Sequence, residues 1–181
     1  MGNPPYVETK HFKSVSLSMH QYLKNKYNSF QGKVDLSVLF VERCIDLLSP
    51  EGQLGFIIQR RWFKTTYGKN SKQVIVKNGY LKKLFDIEAT NLFLGRITYV
   101  SIMILQKKKC TQVEYAYIPG SRFDALNYFN REHKKELIPE SYFEREIWTP
   151  EFYTISAIKD KYAYSKGTLG SNQRIHIRDG I

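Results

Sequence analysis

Four residues close to the amino terminus, Asn3-Pro4-Pro5-Tyr6, preceded by Gly2, bring together groups suited to one kind of chemistry. Proline has a fixed φ and no backbone N–H, so each one stiffens the chain and removes a donor. The residue before a proline is pushed away from helix. Asn3 and Pro4 are therefore held extended, and their carbonyls stay out of any local helix or ladder. The Asn3 side-chain oxygen and the Pro4 carbonyl make a rigid pair of acceptors, with the face of Tyr6 beside them. Two acceptors take both N–H groups of a planar amine conjugated to a ring or carbonyl and draw its nitrogen toward a tetrahedral shape. The lone pair is then released for attack on an electrophilic carbon. An aromatic ring stacks on the flat substrate and fixes its orientation, as in sites for extruded bases. The plain alternative is a proline turn followed by a surface tyrosine.

A second set of candidates follows the apolar run Leu54-Gly55-Phe56-Ile57-Ile58: Arg60-Arg61-Trp62-Phe63-Lys64, then Tyr67-Gly68-Lys69. In open α/β sheets ligands gather at the carboxyl ends of strands. Arg60, Arg61, Lys64 and Lys69 are accordingly the candidate contacts to DNA phosphate. The alternative is a solvated loop with Trp62 packed back on the core. Net charge agrees with a polyanionic partner: 28 Lys and Arg against 17 Asp and Glu give +11 over 181 residues. An anionic membrane surface is the other polyanion, but no stretch is long and apolar enough to span a bilayer. No signal peptide is read at the start of the chain, so a cytoplasmic location is the expectation. Cys44 and Cys110 are far apart and the four histidines form no ligand-spaced pair, so no metal site is expected.

The elements that must hold these groups read as α/β. A short helix is expected over 16–26, and a strong, largely buried one over 34–48, started by Asp35 and stopped by Ser49-Pro50-Glu51-Gly52. Residues 54–58 fit a strand buried on both faces, as in a parallel sheet. A helix over 71–78 closes at Gly79. Strands follow over 81–87 and 98–105, separated by a loop over 88–96. Residues 113–118 are expected to pair back on 98–105 as an antiparallel edge hairpin. Helical pieces are expected near 123–129 and 134–137. Thr149-Pro150-Glu151 starts a helix running to about residue 164.

The sequence resembles the adenine-specific DNA methyltransferases of restriction–modification and related phage-exclusion systems, in their catalytic half. Gly2-Asn3-Pro4-Pro5-Tyr6 is similar to their catalytic motif. Asp35-Leu36, Leu39-Phe40, Glu42 and Leu47-Leu48 resemble the helix that follows it, and Gly52 to Ile58 the next core strand. Asp86-Ile87, Leu92-Phe93 and Thr98 to Ile102 resemble the late motif whose aromatic helps to hold the target base. Leu169-Gly170 through Ile181 is similar to the entry of a target-recognition domain. The resemblance implies the C-terminal half of a Rossmann-like S-adenosylmethionine-dependent sheet. Its layout would be a partial catalytic domain over 1–118, a helical linker over 119–167 and the start of a recognition domain over 168–181. It implies methyl transfer from S-adenosylmethionine to the exocyclic N6 amine of a flipped adenine in double-stranded DNA. Asn3 and Pro4 would hold the amine, Tyr6 would stack on the base, and Phe93 would pack against its edge or other face. No covalent nucleophile is needed, which argues against cytosine C5 chemistry.

The family carries a glycine-rich turn and an acidic residue for the cofactor upstream of the catalytic motif, and neither appears here. The chain is accordingly expected to be a fragment, from expression or from a truncated reading frame, that binds cofactor weakly or not at all and does not turn over alone. An exposed sheet edge would be open to pairing between copies. The competing functions are methylation of a protein glutamine or of RNA, and a DNA-binding module without catalysis.

Overall fold

A computed structural model of the chain describes residues 1–8, 10–11, 16–31, 35–66, 68–90, 99–121, 125, 127–129 and 135–153, without the side chains of 89 and 90. The chain divides into two compact units, Met1–Trp148 and Thr149–Ile181. In the second, the described part is a 3₁₀ turn over Pro150–Phe152 with proline in its first turn. The rest of the helix expected to residue 164 and the segment 168–181 lie outside the described residues, as does Phe93.

The helices of the first unit follow local chemistry. Helix α1 (Leu17–Lys26) starts at Ser16, whose hydroxyl accepts the Met19 N–H at 3.2 Å. Helix α2 (Leu36–Leu47) starts at Asp35, whose carboxylate accepts the Ser37 N–H at 2.9 Å. Its Val38, Leu39, Val41 and Ile45 are buried at helical spacing, against the sheet and a later helix. Glu42 on the same helix is buried too, and its carboxylate accepts the N–H groups of Asn28 at 2.9 Å and Ser29 at 2.8 Å. That pair of bonds satisfies the charge and ties the loop after α1 to α2.

Five strands form one sheet in the order β1-β3-β2-β4-β5. They are β1 (Gln53–Gln59), β2 (Leu81–Thr90), β3 (Val100–Gln106), β4 (Gln112–Ser121) and β5 (Glu136–Pro139). Strands β1 and β2 run the same way, and β3 lies antiparallel between them, with Ile57 opposite Ile102 and Phe85 opposite Ile102 on the other side. The expected parallel setting of residues 54–58 is thus limited to a single bridge, Gly2 to Phe56.

The expected hairpin of 98–105 with 113–118 does not form. Strand β4 pairs parallel with β2, Leu84 opposite Tyr115, on the side away from β3. The reason is burial. Val100, Ser101, Met103 and Leu105 of β3 are buried, so this strand sits inside the sheet, between β1 and β2, with a partner on each edge. The link to β4 then crosses the start of β2, where the Cys110 N–H donates to the Gly79 carbonyl at 2.7 Å. Gly79 has φ +65°, and a Cβ there would lie 2.9 Å from Lys109 Cγ, so glycine admits the crossing. The antiparallel edge exists, but it is built from β4 and β5, Val113 opposite Ile138. Residues 136–139 are therefore strand where a helical piece was expected; the fully buried Ile138 follows a Leu137 that is 60% exposed, the alternation of an edge strand. Strand β2 also continues to Thr90, into the expected loop.

After β1 the chain makes a single turn, α3 (Arg61–Lys64), then α4 (Lys69–Lys77). Trp62 and Phe63 are buried, as the packed-back alternative required, while Arg61 points out. Gly68 has φ +68° and a Cβ there would meet Trp62 Nε1 at 2.4 Å, so a side chain at 68 would displace the indole. The segment after β5, a 3₁₀ helix over Glu140–Glu144 and then residues 145–148, is strapped over these helices. Trp148 donates its backbone N–H to Phe63 O at 2.8 Å, and its ring meets Trp62 edge-on at 5.6 Å. Beneath it the buried Lys72 ammonium donates to the carbonyls of Thr65, at 2.6 Å, and Glu146.

Burial pushes the Lys72 amine down from 10.5 to about 8, against the opposing pull of the Glu146 carboxylate. Below pH 8 the amine is charged both folded and unfolded, and the cost of burying that charge is fully present. Between pH 8 and 10.5 the folded chain releases its proton first, so this residue's contribution to stability rises with pH. The stability of wild type relative to Lys72→Met, from urea unfolding at pH 7.5 and pH 10, should shift toward wild type by on the order of 2 kcal/mol. A difference independent of pH would show that the ammonium is not desolvated.

Candidate active site

The tetrapeptide is set by two hydrogen bonds along one edge of β1. Gly2 N–H donates to Gly55 O at 2.8 Å, and Gly2 O accepts from Ile57 N–H at 3.0 Å. Glycine is needed here, because a Cβ would sit 2.7 Å from Cε1 of the buried Phe56 ring. The chain runs parallel to β1, so Asn3 to Tyr6 emerge toward its carboxyl end. Pro4 is buried, which costs nothing in unmade donors since it has none, and Asn3 is exposed. The Tyr6 hydroxyl lies 2.8 Å from Asn3 Oδ1 and 2.8 Å from Ile57 O, its one proton serving either acceptor. Next, Val7 O accepts the Leu36 N–H at 2.9 Å, and Glu8 bridges to Asp35. Helix α2 is thus pinned directly behind the motif. Burial, with a smaller push from the Asp35 carboxylate, raises the Tyr6 phenol to about 12, so Tyr6 is a neutral donor and ring at physiological pH.

Tyr6 faces a cleft of about 570 Å³ lined also by Glu8, Gln59, Arg60, Arg61, Lys64 and Tyr99. A volume in this range accommodates a nucleotide-sized ligand. Beneath it lies Asp86, fully buried in β2. Its carboxylate takes Arg60 Nε at 2.7 Å, Lys64 Nζ at 3.1 Å and the Ser101 hydroxyl at 3.4 Å. Arg60 also pairs with Glu88 at 2.9 Å. Glu88 accepts the Tyr117 hydroxyl at 2.6 Å, the main cause of a carboxyl held below its usual range, and the same bond raises that phenol to about 12. A buried carboxylate needs such partners, and they fix Arg60 and Lys64 as walls of the cleft.

The sequence candidates are therefore partly gathered. Tyr6 lines the cleft with Arg60, Arg61 and Lys64, and its hydroxyl ties it to Asn3 Oδ1, while Asn3 and Pro4 are not part of the cleft lining. Lys69 does not join them; it pairs with Glu146 and borders a separate cavity of about 490 Å³ with Lys72, Lys77 and Arg145. The left-handed Gly68 turns the chain between Lys64 and Lys69. Asp86 and Tyr99 fall within the stretches that resemble the late motif, but neither was named there as a site residue. A lone carboxylate inside Leu84-Phe85-Asp86-Ile87 is a signal for the first, since a charge in an apolar strand needs a buried partner. The cofactor implied by the resemblance needs a cradle of open glycine backbone. Gly2, Gly52, Gly55, Gly68 and Gly79 are each filled by the chain's own atoms, so none of them provides one.

Residues 1–93 match the family model described as Eco57I restriction-modification methylase. The chain is 33% identical over 108 residues to the type II restriction enzyme and methyltransferase RM.Eco57I of Escherichia coli, covering 60% of this chain and 11% of that protein. It is 32% identical over 125 residues to the type II methyltransferase M.XhoI of Xanthomonas vasicola, covering 66% of this chain and 22% of that protein. The chain thus spans a tenth to a quarter of the length of these relatives. The fold matches part of the DrdV–DNA complex with a TM-score of 0.58 at 14% identity, over 76% of this chain and 17% of that one. It also matches the type IIG restriction endonuclease BpuSI with a TM-score of 0.55 at 12% identity, over 91% of this chain and 22% of that one. On the family match, which covers half of the sequence and includes the Asn-Pro-Pro-Tyr motif, the chain belongs to the Eco57I restriction-modification methylases.

Proposed function

We propose that the chain is the amine-gripping part of a site-specific DNA methyltransferase that methylates the N6 amine of an extruded adenine, with S-adenosylmethionine as methyl donor. The observation that carries this reading is the exit of Asn3-Pro4-Pro5-Tyr6 at the carboxyl end of β1, beside a nucleotide-sized cleft. In this reading Asn3 Oδ1 accepts one amine N–H and the Pro4 carbonyl the other. The amide oxygen has two lone pairs, so it can keep the Tyr6 hydroxyl while taking the amine. Tyr6 stacks on the base with its ring tethered at Ile57 O. Phe93 takes the edge or other face.

Of the four cations, Arg61, exposed at the cleft, is the phosphate contact in this reading. Arg60 and Lys64 hold the cleft wall while adding positive potential at its surface, and Lys69 reaches DNA further from the base. Family membership supports DNA over a protein glutamine or RNA as the substrate.

In the full-length enzyme carrying this chain, Asn3→Ala should lower the methyl-transfer rate on duplex DNA by at least roughly 100- to 1,000-fold while DNA affinity is kept. A binding module without catalysis would leave methylation unaltered, and a preference for RNA or protein in parallel assays would redirect the substrate. The 181-residue chain by itself should give no saturable heat with S-adenosylmethionine in titration calorimetry; micromolar binding would contradict the fragment reading.

A further inference from the structure

The cavity beside α4 takes no part in the roles above. It encloses about 490 Å³ between α4 and the segment 140–148, within the range of nucleotide-sized ligands. Part of its wall is internally satisfied. Lys69 pairs with Glu146, the Lys72 ammonium is spent on the carbonyls of Thr65 and Glu146, and the Arg145 guanidinium lies 3.8 Å over the Tyr142 ring. The rest is not. Lys77 closes α4, and Lys109 comes from the turn after β3, its stem crossing Gly79 just beyond the helix. Neither ammonium makes an ion pair or hydrogen bond with a described residue, and neither does the Gln73 amide. Glu140 keeps a buried carboxylate oxygen, Oε1, without a hydrogen-bond partner. Burial and the Glu144 carboxylate raise this carboxyl, against the pull of Lys109. The apolar part of the wall is the buried Val76 and Phe143, the latter braced edge-on by Trp148 at 5.1 Å.

Each unspent group suits a different part of one molecule. Two ammoniums converging on one end of α4 without a counter-charge suit a multiply charged anion such as a diphosphate. A bare anion does not account for Glu140, whose carboxylate would repel it. A carboxylate oxygen lacking donors suits the hydroxyls of a ribose, the contact by which dinucleotide sites hold that sugar. DNA lacks the 2′-hydroxyl, so such a contact favours a ribonucleotide. An exposed amide beside an apolar wall suits the edge and face of a base. The order along the wall agrees. Gln73 stands one helical turn from Lys77, about 6 Å, which leaves room for the sugar between phosphate and base. Glu140 lies within the electrostatic reach of Lys109, on the side where that sugar joins its phosphate.

We propose that this cavity is a second ligand site, for a free ribonucleoside diphosphate. Its phosphates lie on Lys77 and Lys109, its ribose hydroxyls donate to Glu140 Oε1, and its base covers Val76 and Phe143 against the Gln73 amide. Neither Asn3 nor Tyr6 enters this assignment, so its outcome is independent of the methyl-transfer reading.

The test is calorimetric titration of the 181-residue chain with ADP, 2′,3′-dideoxy-ADP and inorganic pyrophosphate. ADP should bind saturably, and the dideoxy nucleotide and pyrophosphate each about 10-fold or more weakly. Lys77→Ala and Lys109→Ala, at exposed side chains, should each weaken ADP and pyrophosphate by about 10-fold. Glu140→Ala should bring ADP down to the affinity of the dideoxy nucleotide while leaving pyrophosphate no weaker, the opposite of what removing a negative charge does to an anion site. Arg61→Ala, in the cleft beside Tyr6, should leave ADP binding unaltered. An absence of saturable heat with ADP would overturn the proposal, as would pyrophosphate or the dideoxy nucleotide binding as tightly as ADP. A loss in Arg61→Ala without one in Lys77→Ala and Lys109→Ala would put ADP in the cleft and overturn it too. Should Glu140→Ala fail to fold by circular dichroism, ADP against its dideoxy form on wild type decides the ribose contact.

Discussion

Two hydrogen bonds between Gly2 and the middle of β1 hold the candidate site in place. They set a chain segment without further strand structure parallel to a core strand, so Asn3 leaves the sheet at a defined height and direction. Everything next to it serves that exit. Phe56 packs where a side chain at position 2 would be, Pro4 is buried without an unmet donor, and Val7 and Glu8 are tied to the capped start of α2. The tetrapeptide's stiffness is local, but its aim comes from the sheet.

The charge balance beneath the cleft follows from a different constraint. Asp86 lies in the middle of the sheet with no access to water, and an unpaired carboxylate there would be strongly destabilising. Arg60 and Lys64 neutralise it, and Glu88 takes the remaining side of Arg60. The positive face of the cleft is therefore smaller than a count of its basic residues implies. Arg60 and Lys64 are fixed first by the fold, and their use toward a polyanion is secondary to that.

Local chemistry carried much of the fold in legible form. Ser16 and Asp35 mark the starts of α1 and α2, Gly79 the end of α4, and the apolar runs the strands β1, β2 and β3. Pairing was not legible, because periodicity states which residues want burial and not which strand lies beside them. Residues 98–105 were expected to pair with 113–118 as an edge hairpin, whereas β3 lies between β1 and β2, with Ser101, Met103 and Leu105 buried on one face. Short β5 was misread because four residues cannot express a period against the polar residues around them. In the site, the catalytic-type motif stands out in the sequence because its residue types are rare together. Asp86 stands out only within the stretch that resembles the late motif, and its pairing with Arg60 and Lys64 arises from neighbours brought in by strand pairing; Lys69 misled because closeness in sequence was taken for closeness in space across a left-handed glycine.

The account stands or falls on what the Asn3 amide touches when DNA is bound. A crystal structure of the full-length enzyme with its duplex target is the most direct measurement. The account predicts an adenine rotated out of the helix, with its N6 within hydrogen-bond distance of both Asn3 Oδ1 and the Pro4 carbonyl, at about 3 Å. An adenine still stacked in the duplex, or an extruded base whose amine is held by other residues while Asn3 faces solvent, would contradict it.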